Sequence, residues 1–337
     1  MLQKIALSIV LVLFTGVFCG HAQEANVGEA IKIDTRLVSV PVIVSDRNGR
    51  YVPNLTRADF TVLQDGSPQT IEFFAATEEP LTIALMIDTS QSTRFVLDDI
   101  KDSAKSFIKM LRPKDKAMIV AVDYDTHILS PLTSDHDHLS RAVRSAEIGE
   151  FLGTQLRDAV FKTLTKTFRA LTGRKAIILL TDGKDATSQI SIPDLLYSLQ
   201  ETDTLIYSVM FKTGESGLRH ILLPRRNGNR PGSSRFPSNL PPAFRLPLPN
   251  TRQNERAEQF LRKISDSTAG RFIASDDGKL KKTFESILDE LRFQYRLGFY
   301  PPDETGEKTL HELKVKVARS ESVVRSRTSY RVSVGRP

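Results

Sequence analysis

Three short stretches carry oxygen donors of the kind that hold a hard cation: Asp88-Thr89-Ser90-Gln91-Ser92, Gly153-Thr154 and Thr181-Asp182-Gly183. Asp88, Ser90, Ser92, Thr154 and Asp182 together offer carboxylates and hydroxyls, with neither thiol nor imidazole. Such a set suits Mg²⁺, Mn²⁺ or Ca²⁺ better than zinc or copper. Taken singly each stretch has a plainer reading, with Asp88 and Ser90 as caps of a following helix and Asp182-Gly183 as a turn. What distinguishes the two readings is whether the chain brings all three stretches to one place.

The surrounding pattern predicts that it does. Leu81–Ile87, Ala117–Val122, Ala176–Leu180 and Leu205–Phe211 are short apolar runs of buried-strand length. Between them Val96, Ile100, Ala104, Phe107, Ile108 and Leu111 recur at helical spacing, as do Leu156, Val160, Leu164 and Phe168. Strand-helix alternation of this kind predicts a doubly wound α/β unit, its mostly parallel sheet covered on both faces. Asp88 and Asp182 each follow a buried strand, and Thr154 opens a helix. All three loops then meet at the carboxyl edge of the sheet, where open α/β sheets bind ligands. A helix from Lys279 to Leu291, with Leu280, Phe284, Ile287, Leu288 and Leu291 on one stripe, closes the unit.

The flanks read differently. Val38, Val40, Val42 and Val44 alternate along a strand whose Pro41 favours a sheet edge, and Asn48-Gly49 turns it. Phe60–Gln64 and Thr70–Phe74 flank the turn Asp65-Gly66. After the closing helix come strand-like runs at Gln294–Tyr300, Leu310–Ala318 and Val323–Val334. Residues 31–78 and 294–334 are therefore expected to pack as one β-rich sandwich into which the unit 81–291 is inserted.

At these residues the sequence resembles the von Willebrand factor type A family, a Rossmann-like fold, over about Leu81 to Leu291. The likeness rests on Asp-x-Ser-x-Ser at 88–92, Gly-Thr at 153–154 and Thr-Asp-Gly at 181–183. It implies a metal-ion-dependent adhesion site in which Ser90, Ser92 and Thr154 ligate the ion and Asp88 and Asp182 act mostly through water. It also implies that a partner protein fills the open coordination position with a carboxylate. Leu55-Thr56-x-x-Asp59-Phe60 and Tyr295-x-Leu297-Gly298-Phe299-Tyr300 are similar to an exported bacterial subfamily of these proteins.

Composition narrows the alternatives. With 40% hydrophobic and 26% charged residues over 337 positions, the chain is neither a disordered polymer nor a multi-span membrane protein. The net charge of +7 is concentrated between Gly214 and Arg256, where eight arginines face two glutamates. Most of it lies in one proline-rich insertion, Thr213–Thr251, so it describes one segment and is a weak argument for nucleic acid as a partner of the whole protein; none is expected. Met1–Ala22 has the basic start, apolar run and small-residue end of a secretory signal peptide, which implies a periplasmic or secreted protein without a transmembrane anchor in its mature form. The single cysteine, Cys19, would leave with it. Ser90 and Ser92 have no histidine in a recognisable constellation among His127, His136, His138, His220 and His311, and no Gly-x-Ser-x-Gly elbow or phosphate-binding glycine loop occurs. Asp135-His136-Asp137-His138 reads as a helix entry capped by aspartate. A binding module is expected over an enzyme; a scaffold subunit of an envelope complex with a vestigial metal site is the alternative.

Overall fold

In the computed structural model β1 (Val38–Ser45) is the strand that joins the two ends of the chain. It pairs antiparallel with β11 (Tyr295–Phe299) on one side and β13 (Val323–Ser326) on the other. Adding β4 (Phe73–Ala75) gives a sheet of order β13-β1-β11-β4. A second sheet has the order β14-β12-β2-β3, built from β2 (Phe60–Gln64), β3 (Ser67–Gln69), β12 (Leu310–Val317) and β14 (Ser329–Arg331). Val38, Val40, Val42 and Val44 meet Phe60, Val62, Leu313, Val315 and Tyr330 in the core between the sheets. Ile43 points the other way into the core of the α/β unit. Burial on both faces explains the nearly continuous apolar run of β1.

The structure describes residues 37–76, 79–211, 213, 251–275, 280–302 and 309–331. All of these fall in one unit, Thr35–Pro337. The expected leader, with Cys19, and the interior of the insertion lie outside the described residues. No helix among the described residues is long and apolar enough to cross a membrane.

Between the sandwich strands runs a six-stranded sheet of order β10-β9-β8-β5-β6-β7. Its strands are β5 (Leu81–Asp88), β6 (Lys116–Val122), β7 (Thr126–Thr133), β8 (Arg174–Thr181), β9 (Leu205–Met210) and β10 (Arg271–Ala274), all parallel except the edge strand β7. Side chains alternate across it. Ile83, Leu85 and Ile87 face α1 (Leu97–Met110), α2 (His136–Arg144) and α6 (Leu280–Arg292). Ala84 and Met86 face α3 (Leu156–Lys162), α4 (Ile192–Gln200) and α5 (Thr251–Asp266).

Several expectations need correction. Pro41 lies in an internal strand, tolerated because β13 covers only Val42–Ser45 and leaves β1 with one neighbour at the proline. Thr70–Phe74 is not the hairpin partner of β2. Asp65 and Gly66 both take positive φ, 48° and 84°, and this two-residue turn sets the register Gln64↔Ser67. The chain then leaves β3 and crosses to the other sheet as β4. Val323–Val334 likewise divides between sheets as β13 and β14, with buried Arg327 at the break and residues 332–334 outside the described set. The run Leu156–Phe168 changes from α3 to a π-helical turn at Thr163–Phe168.

At the edge of the sheet opposite its carboxyl ends, Lys175 Nζ meets Asp203 at 2.9 Å, both side chains largely buried. Burial works to raise the Asp203 pKa, but the Lys175 charge and hydrogen bond, with Ser39 and Arg327, hold it below the ordinary carboxylate value. A depressed folded-state pKa stabilises the fold above the unfolded value, and that contribution disappears as pH falls through the folded value. Asp203→Asn is expected to lower stability at neutral pH by about 3 kcal/mol by leaving the Lys175 ammonium buried without its counter-charge. Urea unfolding measures it, and a loss below about 1 kcal/mol would show that water already screens the pair.

Candidate functional site

Asp88 is the last residue of β5, in register with Val122 of β6, and the chain leaves the sheet directly after it. The turn that follows is built from hydroxyls. Thr93 Oγ1 donates to the carbonyls of Asp88 and Ser90, both at 2.9 Å, and bends residues 88–93 back on themselves. Ser90 N–H donates to Asp88 Oδ1 at 3.0 Å, and Ser90 Oγ lies 3.0 Å from Ser92 Oγ. Ser90 is the N-cap residue of the 3₁₀ turn Gln91–Thr93 but makes no side-chain cap hydrogen bond there, and the N-cap position of α1 is Val96.

β8 lies beside β5 and ends one residue before Asp182. Thr181 Oγ1 donates to Asp88 Oδ2 at 2.5 Å and accepts from Gly183 N–H at 2.8 Å. That hydroxyl joins the two carboxylate loops. Asp88 and Asp182 are each only 1% exposed. Burial pushes the Asp88 pKa up to about 7, with the Asp182 charge beside it as the next cause, against hydrogen bonds from Ser90 and Thr181 that favour the anion.

Thr154 reaches the same edge through its backbone. Gln155 N–H donates to Asp123 O at the end of β6, while Ala186 and Thr187 N–H donate to Thr154 O, each at 3.2 Å. Gly149 N–H donates to Thr89 O at 2.9 Å, which ties the loop before Thr154 to the Asp88 turn. Gly153 is required here: its φ is +116°, and a Cβ would stand 2.6 Å from Thr187 Cγ2. Buried Asp158 of α3 accepts from Gln189 and Ile190 N–H, and Asp185 accepts from Arg157 N–H, so the loop after Asp182 is fastened to the helix that Thr154 precedes.

The five residues singled out in the sequence thus lie on loops bonded to one another at the carboxyl edge. Among the described residues no group of three or more His, Cys, Asp or Glu side chains is placed to hold a metal ion. A cation here would depend on hydroxyls as much as on carboxylates. The Asp135 motif is a helix cap, its Oδ1 accepting from His138 N–H at 2.9 Å.

Sequence reasoning passed over three participants. Thr181 was readable as a hydroxyl one residue before a strand-end carboxylate. Lys184 and Thr213 gave no such signal, since their place follows from the end of β9 lying next to the end of β8. Lys184 Nζ stands 2.9 Å from Asp182 Oδ2, and Thr213 Oγ1 donates to the same oxygen at 2.7 Å.

Residues 83–184 match the family model of the von Willebrand factor type A domain. No curated protein sequence matches the chain. Among solved structures, the chain is similar to the conserved hypothetical protein BatB from Bacteroides thetaiotaomicron, at 16% identity and TM-score 0.43 over 63% of this chain and 98% of that one. It is similar to a von Willebrand factor type A protein from Catenulispora acidiphila at 13% identity and TM-score 0.44, covering 89% and 75%. A third likeness is to proximal thread matrix protein 1 from the mussel byssus, solved with a zinc-occupied MIDAS motif, at 16% identity and TM-score 0.46, covering 68% and 49%. Over the segment 83–184 the chain is thus similar to the von Willebrand factor type A domain family.

Proposed function

We propose that this protein is a metal-dependent protein-binding module, exported to the periplasm or beyond, whose α/β unit holds Mg²⁺, Mn²⁺ or Ca²⁺ through Asp88, Ser90, Ser92, Thr154 and Asp182. The observation that carries it is the pairing of two buried carboxylates with hydroxyls at the open edge of the sheet. Burial first, and then the Asp182 charge, disfavour the Asp88 anion, and a divalent cation would offset both. Because the donor set contributes few negative charges, a bound ion would stay electrophilic and accept a carboxylate from a partner.

The rim of the site supports a macromolecular partner. Phe95 and Tyr124 are about half exposed, Phe151 is 68% exposed and Leu152, two residues before Thr154, is 80% exposed. Tyr124 and Phe151 pair at 5.9 Å between ring centroids. Apolar side chains presented this openly around a polar centre are what a protein interface uses.

The test is thermal unfolding with magnesium and with chelator. A ligand present at a hundred times its Kd stabilises the native state by about 2.7 kcal/mol, or roughly 4 °C for a chain of this size. The wild type is expected to show that shift and Ser92→Ala little of it; equal shifts in the two proteins would overturn the assignment. One observation favours the second reading, a scaffold with a vestigial site: the ammonium of Lys184 already occupies Asp182.

A further inference from the structure

Asp182 is held by three donors from the protein itself. Its Oδ1 accepts the backbone N–H of Lys184 at 3.1 Å. Its Oδ2 accepts both Lys184 Nζ at 2.9 Å and Thr213 Oγ1 at 2.7 Å. Thr213 Oγ1 also accepts from Lys184 Nζ at 2.6 Å, so the ammonium sits in a small cradle of carboxylate and hydroxyl. The pair is sheltered, the Lys184 side chain being 21% and the Asp182 side chain 1% exposed. Gly183 at φ 74° makes the tight turn that brings the side chain of Lys184 back onto the residue two before it.

We propose that Lys184 is a tethered cation that competes with the divalent ion for Asp182 and so sets the affinity of the site. This rests on the cation-binding reading above and adds to it a residue outside the five donors. A lysine ammonium carries one charge and directs up to three donors, so it satisfies a buried carboxylate without the crowded oxygen shell a divalent ion requires. Neutralised in this way, Asp182 contributes less attraction to an incoming ion. The site then fills only at higher concentrations of metal, and an ion bound there keeps more of its charge for a partner. Thr213 joins in because its single hydroxyl bonds both members of the pair. It also stands at the exit of β9, which makes the start of the Arg/Pro-rich segment part of the cradle.

The experiment is calorimetric titration of the full chain with Mn²⁺, comparing wild type with Lys184→Met, Lys184→Arg and Thr213→Val. Thermal unfolding in chelator establishes that each variant is folded. Lys184→Met is expected to bind Mn²⁺ about tenfold more tightly, the equivalent of one charge-assisted hydrogen bond. Thr213→Val is expected to gain a smaller factor, and Lys184→Arg, which keeps the charge, to stay near wild type. If wild type binds Mn²⁺ and Lys184→Met binds it equally or less tightly, the competition is overturned while the metal site stands. Should wild type bind none and Lys184→Met bind, the ammonium has replaced the ion in the natural protein; the competition holds and metal-dependent function fails. No binding by either protein overturns both. If Lys184→Met does not fold without metal, Thr213→Val alone decides, and Mn²⁺ affinity no higher than that of wild type overturns the proposal.

Discussion

Arg174→Met is expected to lower the free energy of unfolding by about 4 kcal/mol, the sum of several charge-assisted bonds to carbonyls that would be left buried without donors. Arg174 begins β8 and is 2% exposed. Its Nη1 donates to the carbonyls of Leu291 and Arg292, and its Nη2 to that of Gln294 at 3.1 Å. These belong to the last turn of α6 and the residues leaving it, where a helix has carbonyls with no partner of its own. A cation also complements the negative end of the helix dipole there. Methionine keeps much of the apolar volume and removes every donor. Denaturant unfolding measures the loss, and amide exchange in α6 should quicken more than in α1. A loss below about 1 kcal/mol would mean that water caps this helix end.

Gly270→Ala is expected to cost 4 kcal/mol or more, on the order of the largest single-residue effects. An added Cβ would stand 1.9 Å from the carbonyl oxygen of Ile206, 2.6 Å from its carbon and 2.9 Å from its nitrogen. All three are backbone atoms of β9, and a strand interior cannot give way as a flexible side chain can. Gly270 leads into β10, and its carbonyl accepts from Arg325 Nη1 of β13, so the strain would reach the sandwich as well. Unfolding at the wild-type denaturant concentration would show that β10 lies farther from β9 than the structure has it.

Neither position stood out in the sequence, for a shared reason. Arg174 reads as a charged residue ahead of an apolar strand, and Gly270 as one glycine in a loop. Their meaning comes from contacts with residues far along the chain. The apolar runs Leu81–Ile87 and Ala176–Leu180, by contrast, set the buried strands within two residues, since burial on both faces leaves little freedom in composition. The stretches around Asp88, Thr154 and Asp182 were legible because strand ends and a helix start are local events that also fix position in a parallel sheet. The helix Thr251–Asp266 and strand Arg271–Ala274 were not anticipated: the first has a narrow apolar face within a highly charged run, and the second is only four residues long. Lys184 was hidden because nothing in the sequence says that β9 delivers Thr213 beside β8.

The closing of the sandwich by strands from both flanks bears on the order in which the molecule assembles. Val38 pairs with Phe299 and Phe60 with Val317, contacts between residues very far apart in sequence. Loop-closure entropy makes such pairings slow, and strands β1 to β4 are left with open edges until β11 and β12 exist. The α/β unit shortens that search. Leu81, where it begins, pairs with Arg174, and Arg174 grips the end of α6, so folding of this unit alone draws its entry and exit together. The antiparallel strands then meet across a short gap, and a chain stalled before β11 would carry a folded α/β unit alongside unpaired strand edges open to aggregation.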